Sequence, residues 1–170
     1  YVMITISMES MKRICEVLTE EPSIKNCENP IYEVKDGSVS FKNVNFKYNE
    51  NAKRCALEGI NLEIKSGMTV GVLGGTGVGK SSLVQLIPRL YDVTDGVVEV
   101  GGIDVRKYDI KTLRDSVAMV LQKNQLFSGT IKENLRWGNE NATDEELIEV
   151  CKLAQAHDFI SAFPDGYDTY

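Results

Sequence analysis

Apolar positions first recur at spacings of three and four. Ile4, Met8, Met11, Ile14, Cys15 and Leu18 mark one face of an amphipathic helix over residues 4 to about 20, and Pro22 ends it. Residues 22–36 are polar, contain Pro30 and read as a linker, which puts a domain boundary near Asp36-Gly37. The period then changes to two. Val39 and Phe41 alternate, the parity slips near Asn43, and Val44, Phe46 and Tyr48 alternate again, the pattern of a strand with a bulge. Ile60, Leu62 and Ile64 predict a second strand, and Ser66-Gly67 turns the chain. "MTVGVL" (residues 68–73) is apolar almost without interruption, as expected of a strand buried on both faces. A helix is predicted from about Gly79 to Leu90, with Pro88 disturbing its end. "VVEV" (residues 97–100) predicts another strand, Asp109 starts a short helix, and "VAMVL" (residues 117–121) is a further buried-strand candidate. From Thr130 onward the pattern is helical, and Thr143-Asp144-Glu145-Glu146 has the form of a capping box.

Between the apolar run and the helix lies "GGTGVGKSS", residues 74–82. Gly74 to Ser81 fit G-x-x-x-x-G-K-[ST], and the strand-before, helix-after context is the one this motif requires. The residue types follow from phosphate chemistry. A loop that wraps a phosphate must turn several N–H groups inward, which calls for positive φ and little side-chain bulk. Lys80 can reach the outer phosphates, and the Ser81 hydroxyl can join a Mg²⁺ shell otherwise made of phosphate oxygens and water. The plainer alternative is a glycine-rich turn with a solvated lysine. Tyr48 offers an aromatic face for a base, and Gln122, directly after the second apolar run, sits where ligand-facing residues of open α/β sheets gather.

Composition narrows the partners. A 170-residue chain that is 42% hydrophobic and 26% charged can build a real core. A net charge of −6 argues against nucleic acid as the main partner but not against a nucleotide, which needs only a local set of donors. The four cysteines form no C-x-x-C pair and read as reduced thiols. No apolar run is long enough to span a bilayer.

The order of an aromatic strand end, the glycine loop, "RLYDVTDGVVEVGGIDV", "VLQ…LFSGTIKENL", a capped helix and "FPDGYDT" resembles the nucleotide-binding domain of exporter-type ATP-binding cassette (ABC) transporters over about residues 37–170. Residues 1–36 resemble the cytoplasmic end of a membrane-domain helix and its linker in the same family. The resemblance implies an α/β P-loop fold of the ABC ATPase type, with an antiparallel β-subdomain, a parallel core and the start of a helical subdomain. It implies ATP and Mg²⁺ as cofactors, and ATP-driven export across a membrane as the function of the parent protein. Tyr48 matches the residue that stacks on adenine. Gly74, Gly75, Thr76, Gly77, Val78, Gly79, Lys80 and Ser81 match the Walker A motif, with Ser82 at its helical edge. Gln122 matches the glutamine that touches the Mg²⁺ site and senses the transmembrane domain. Lys80 and Gln122 are thus the expected catalytic contributors, and Ser81 and Gln122 the expected metal contacts. Val78 departs mildly from the family, which uses a smaller residue there. Phe127, Ser128 and Gly129 lie where such domains meet coupling helices.

The implied partners are a second nucleotide-binding domain, paired head to tail, and the coupling helices of a transmembrane domain at the cytoplasmic face of the membrane. The family's signature motif, its Walker B strand ending in Asp-Glu and its switch histidine are not found in these residues. His157 reads as a surface helix residue and does not take the switch role. The chain is therefore expected to belong to a longer protein and to be inactive as an ATPase by itself. Two other readings stay open: a degenerate regulatory nucleotide-binding subunit of a heterodimeric exporter, and a soluble ABC ATPase without a transport role.

Overall fold

The computed structural model describes residues 2–123 and 125–170, and of residues 2–6 the backbone alone. It separates into two compact units, residues 1–119 and 120–170.

The first unit opens with helix α1, Val2–Thr19, whose described side chains are all exposed, Met8, Met11, Ile14 and Leu18 among them. Ile4, counted on the same apolar face, has a side chain outside the described residues. The linker after α1 does not float free. Asn26 Nδ2 donates to Asp109 Oδ1 at 2.6 Å, its Oδ1 accepts from the Ile110 amide at 2.9 Å, and Ile31 forms a parallel bridge with Tyr108.

Four strands follow: β1 (Val39–Phe46), β2 (Leu57–Ile64), β3 (Asp95–Val100) and β4 (Ile103–Asp104), in the order β2-β1-β3-β4 with every neighbour antiparallel. The parity slip read near Asn43 is a true irregularity. Register shifts fall between Phe41 and Val44 against β2 and between Lys42 and Asn45 against β3, with Asn43 at φ 49°. Gly96 makes the bulge possible: at φ 82° a Cβ there would lie 2.3 Å from the Asn43 carbonyl oxygen. The slip lets Phe41, Val44 and Phe46 all turn inward, to at most 2% exposure, against Leu57, Val98, Val100, Tyr108 and Leu113. The Tyr108 hydroxyl, fully buried, donates to the Val100 carbonyl at 2.9 Å. Strand β1 ends at Phe46, two residues before Tyr48.

Helix α2, Lys80–Leu86, lies on this sheet through Leu83, Leu86 and Ile87. It is shorter than the periodicity suggests, because Pro88 cannot donate to the ladder and Arg89 turns left-handed at φ 51°. Arg89 is held there by two bonds to Asp92 (2.7 and 3.0 Å), and Arg114 Nη2 donates to its carbonyl. A 3-10 turn at Val105–Lys107 and helix α3, Ile110–Asp115, complete the unit, with Asp109 capping α3 through the Thr112 amide at 2.9 Å.

One expectation is not met. Among the described residues no strand ladder includes residues 68–73 or 117–121. Met68, Val70, Val72 and Leu73 are exposed, Leu73 at 96%. A parallel strand needs strands on its flanks, and the strands described here all pair with one another in the antiparallel sheet.

The second unit packs α4 (Ile131–Arg136), α5 (Asp144–Leu153) and α6 (His157–Ser161) around Leu147, Cys151 and Ile160. The capping box at Thr143 and Glu146 is present, and a second joins Thr130 and Glu133. Lys132 bridges to Asp168 at 2.6 Å, and Arg136 pairs with Asp144. His157 is half-buried rather than a free surface residue. Its Nδ1 lies 3.0 Å from the Tyr167 hydroxyl, which burial and the neighbouring Cys151 thiol push up to about 12.

Candidate nucleotide-binding site

The glycine loop is set between the sheet and α2, and its two ends behave differently. Gly79 is locked. At φ 88° it caps α2, and a Cβ on it would meet the Ala56 carbonyl oxygen at 2.6 Å and Leu57 Cδ2 at 2.8 Å. Only glycine allows both the left-handed turn and the close approach to the start of β2. At the other end Gly75 has nothing within 4 Å of a Cβ position. Gly74 is shielded by Val78, whose Cγ2 stands 2.8 Å from where a Cβ would be. The Val78 side chain thus lies over the loop instead of pointing away.

Two features of the loop bear on phosphate. Among the described residues, the amide N–H groups of residues 74–77 and 79 have no protein acceptor, residues 76–77 form a turn, and residues 74–78 are exposed. Lys80 folds back over them, its Nζ donating to the carbonyls of Gly74 (2.8 Å) and Gly75 (2.5 Å). Exposed amide donors and an ammonium on one short loop are the donor set that a polyphosphate requires. The Ser81 hydroxyl is exposed at the start of α2. No group of three or more His, Cys, Asp or Glu able to hold a metal occurs among the described residues. One serine hydroxyl completed by phosphate oxygens and water suits Mg²⁺, which is held by few protein ligands beside a phosphate.

Tyr48 stands next to this loop. Its hydroxyl is 2.7 Å from Ser82 Oγ, on the third residue of α2, and 3.4 Å from Gln85 Oε1. Its ring meets Phe46 edge-to-face (centroids 4.7 Å apart, 71°) and Tyr91 likewise (5.1 Å, 88°), yet the residue stays 56% exposed. The structure thus brings Tyr48, residues 74–81 and Ser82 together. Tyr91 went unnoticed in the sequence because it lies in the loop after α2 with no periodicity to mark it; proximity to Tyr48 appears only once α2 docks.

Gln122 belongs to the second unit, where it is exposed on a bend. In that unit Asn134 braces the turn at residues 127–130. Asn134 accepts from the Phe127 amide at 2.8 Å and donates to the carbonyls of Phe127 and Thr130, both at 3.0 Å. Gly129, at φ 139°, makes room for Glu133, whose Oε2 would lie 2.6 Å from a Cβ. Phe127 stacks on Trp137 with centroids 4.8 Å apart, both residues largely exposed.

A glycine loop with uncommitted amides, closed by a lysine and opening a helix, defines a P-loop nucleotide-binding protein. The sequence profile of the family described as ABC transporter matches residues 57–167, and the chain belongs to that family. It is 45% identical over 92% of its length to a Staphylococcus aureus protein named for multidrug export, the ATP-binding/permease protein SAB1799c. It is also 45% identical, over 98% of its length, to a Bacillus subtilis protein named in the same way, YgaD. Among solved structures it is similar to a bacterial Atm1-family ABC exporter with ATP bound, with a TM-score of 0.88 and 31% identity over 98% of the chain. The chain spans 27% of the first of these relatives and 29% of each of the other two. No helix among the described residues is long and apolar enough to cross a membrane.

Proposed function

We propose that this chain is the ATP-binding part of an ABC exporter, and that the parent protein couples ATP binding and hydrolysis to export of a substrate. The observation that carries this is the loop at residues 74–80, with its free amides and the Lys80 ammonium turned onto it. The ATP-bound exporter of the same fold and the relatives named for ATP-binding/permease function support it.

In this reading Tyr48 presents its ring to the adenine, and the amides of Gly75, Thr76, Gly77, Val78 and Gly79 hold the phosphates. Lys80 exchanges the carbonyls of Gly74 and Gly75 for phosphate oxygens, and Ser81 contributes its hydroxyl to Mg²⁺. Ser82 orients Tyr48. Gln122 joins the Mg²⁺ shell and reports to coupling helices of a transmembrane domain, at the cytoplasmic face of the membrane. Bound Mg-ATP supplies the phosphoryl group whose transfer to water releases the energy for transport. The signature and acid pair that complete such a site are not among these residues, so we propose that hydrolysis belongs to the complete protein, paired head to tail with a second nucleotide-binding domain.

Lys80→Ala tests the reading. Its loss removes the only charged donor on the loop, and we expect Mg-ATP affinity to fall by about tenfold or more, in line with the strength of charge-assisted hydrogen bonds. Equilibrium binding to the full-length chain measures it, and unchanged affinity would overturn the assignment.

A further inference from the structure

Tyr48 is more exposed than an unsupported ring could be while keeping one orientation. It lies beyond the end of β1, outside any ladder, and 56% of it faces solvent. A side chain so placed rotates among staggered wells unless something fixes it. Here three contacts do. Phe46 sits against it at 4.7 Å, itself 1% exposed in the core. Ser82 Oγ holds the phenol tip at 2.7 Å. Tyr91 closes the third side at 5.1 Å and 88°, and it also touches Phe46 at 5.5 Å. The three rings form a closed triangle. Phe46 and Ser82 have structural reasons to be where they are, one in the core and one in the first turn of α2. Tyr91 is less firmly placed: it packs on Phe46 but stays 40% exposed, and among the described residues no hydrogen bond ties its hydroxyl.

We infer that Tyr91 is a positioning residue for base binding, and that its ring holds Tyr48 in the orientation that receives the purine. The inference rests on the nucleotide reading above and deepens it. Tyr91 touches neither base nor phosphate in this role; it acts through Tyr48. Its consequence is selective. Losing Tyr91 affects the part of the affinity that comes from the base and leaves the part that comes from the phosphates, because Gly79 and α2 are fixed by the sheet independently of Tyr91.

The test compares two probes on the full-length chain, Mg-ATP and Mg-tripolyphosphate, the second having phosphates and no base. Tyr91→Leu and Tyr91→Met remove the ring but keep apolar bulk, and two ringless variants guard against one failing to fold. Tyr91→Phe keeps the ring and drops only the unbonded hydroxyl. An edge-to-face pair contributes about 0.5–1.5 kcal/mol beyond its burial, so the ringless variants should bind Mg-ATP about two- to tenfold more weakly. Their affinity for Mg-tripolyphosphate should stay at the wild-type value, and Tyr91→Phe should match wild type for both. A loss of Mg-ATP affinity below about twofold overturns the inference. So does an equal loss of both probes, which makes Tyr91 a support of the whole domain, and so does a Tyr91→Phe variant as weak as Tyr91→Leu. Wild-type protein that binds neither probe sinks the nucleotide reading itself, a result distinct from any of these.

Discussion

Strand β1 and residues 68–73 both read as strands in the sequence, and their fates differ. In β1, Phe41, Val44 and Phe46 reach 2%, 0% and 1% exposure, because β2 and β3 pair on either side and α2 closes one face. Residues 68–73 join no ladder among the described residues, and Leu73 is 96% exposed. Hydrophobic pattern states what a segment favours burying. Whether it is buried depends on which other segments offer matching edges, and for a parallel strand those partners are remote in sequence.

The largest test of this contrast is a pair of truncations in the 170-residue chain. Phe41→Ala removes a ring packed in the sheet core and should cost about 3–5 kcal/mol of unfolding free energy. Leu73→Ala removes a side chain with almost no contact and should stay within about 0.5 kcal/mol. Denaturant unfolding measures both. A Leu73→Ala cost comparable to that of Phe41→Ala would show that residues 68–73 are packed in solution.

The same contrast explains what could be read from the sequence. The alternation across β1 and β2, the slip at Asn43, the short helix beginning at Asp109 and the Thr143 capping box were all legible, because each depends on neighbours within a few residues or on one hairpin-like pairing. The glycine loop was legible because its chemistry demands particular residue types at fixed spacing, and the ABC transporter profile covering residues 57–167 agrees with the family it suggested. Tertiary context decided the remainder. The run at residues 68–73 lacked a paired neighbour, and His157, taken for a surface residue, is half-buried against Tyr167. The Thr130–Glu133 box was overlooked although its T-x-x-E spacing stood in plain view. Tyr91 could not be found at all, since nothing in "RLYD" says that it meets Tyr48.

A second comparison carries the contrast into the loop itself, between its docked and its free end. Gly79→Ala forces a Cβ to within 2.6 Å of a backbone oxygen at φ 88°, and strain together with overpacking should destabilise the chain by about 1–3 kcal/mol. Gly75→Ala meets nothing within 4 Å and should be neutral or slightly stabilising for folding. Thermal or denaturant unfolding of the two variants decides. Equal effects would mean that the loop end at Gly79 is not fixed on β2 as the structure has it.

The smallest expected effect is electrostatic and should appear in the paired region but not at residues 68–73. Burial alone pushes the Asp104 carboxyl up. Hydrogen bonds from the Arg106 guanidinium and amide, with the Arg106 charge, outweigh it and hold the group below the ordinary carboxylate range. Glu99, on the neighbouring strand, is lowered as well, first by its hydrogen bond from Lys42. A carboxyl lowered by folding contributes stability above its unfolded value, and that contribution is lost as pH falls through the folded value. The β3–β4 end of the sheet should therefore weaken as the solution is acidified through and below the ordinary carboxylate range. Residues 68–73 hold no ionisable side chain and contribute nothing to this slope. Asp104→Asn should remove part of the slope, at a cost near neutral pH of about 0.2–1 kcal/mol, the range of a partly exposed ion pair. Unfolding free energies measured across the acid range for wild type and Asp104→Asn test this. Parallel curves for the two would mean that the bond between Asp104 and Arg106 does not hold the hairpin in solution.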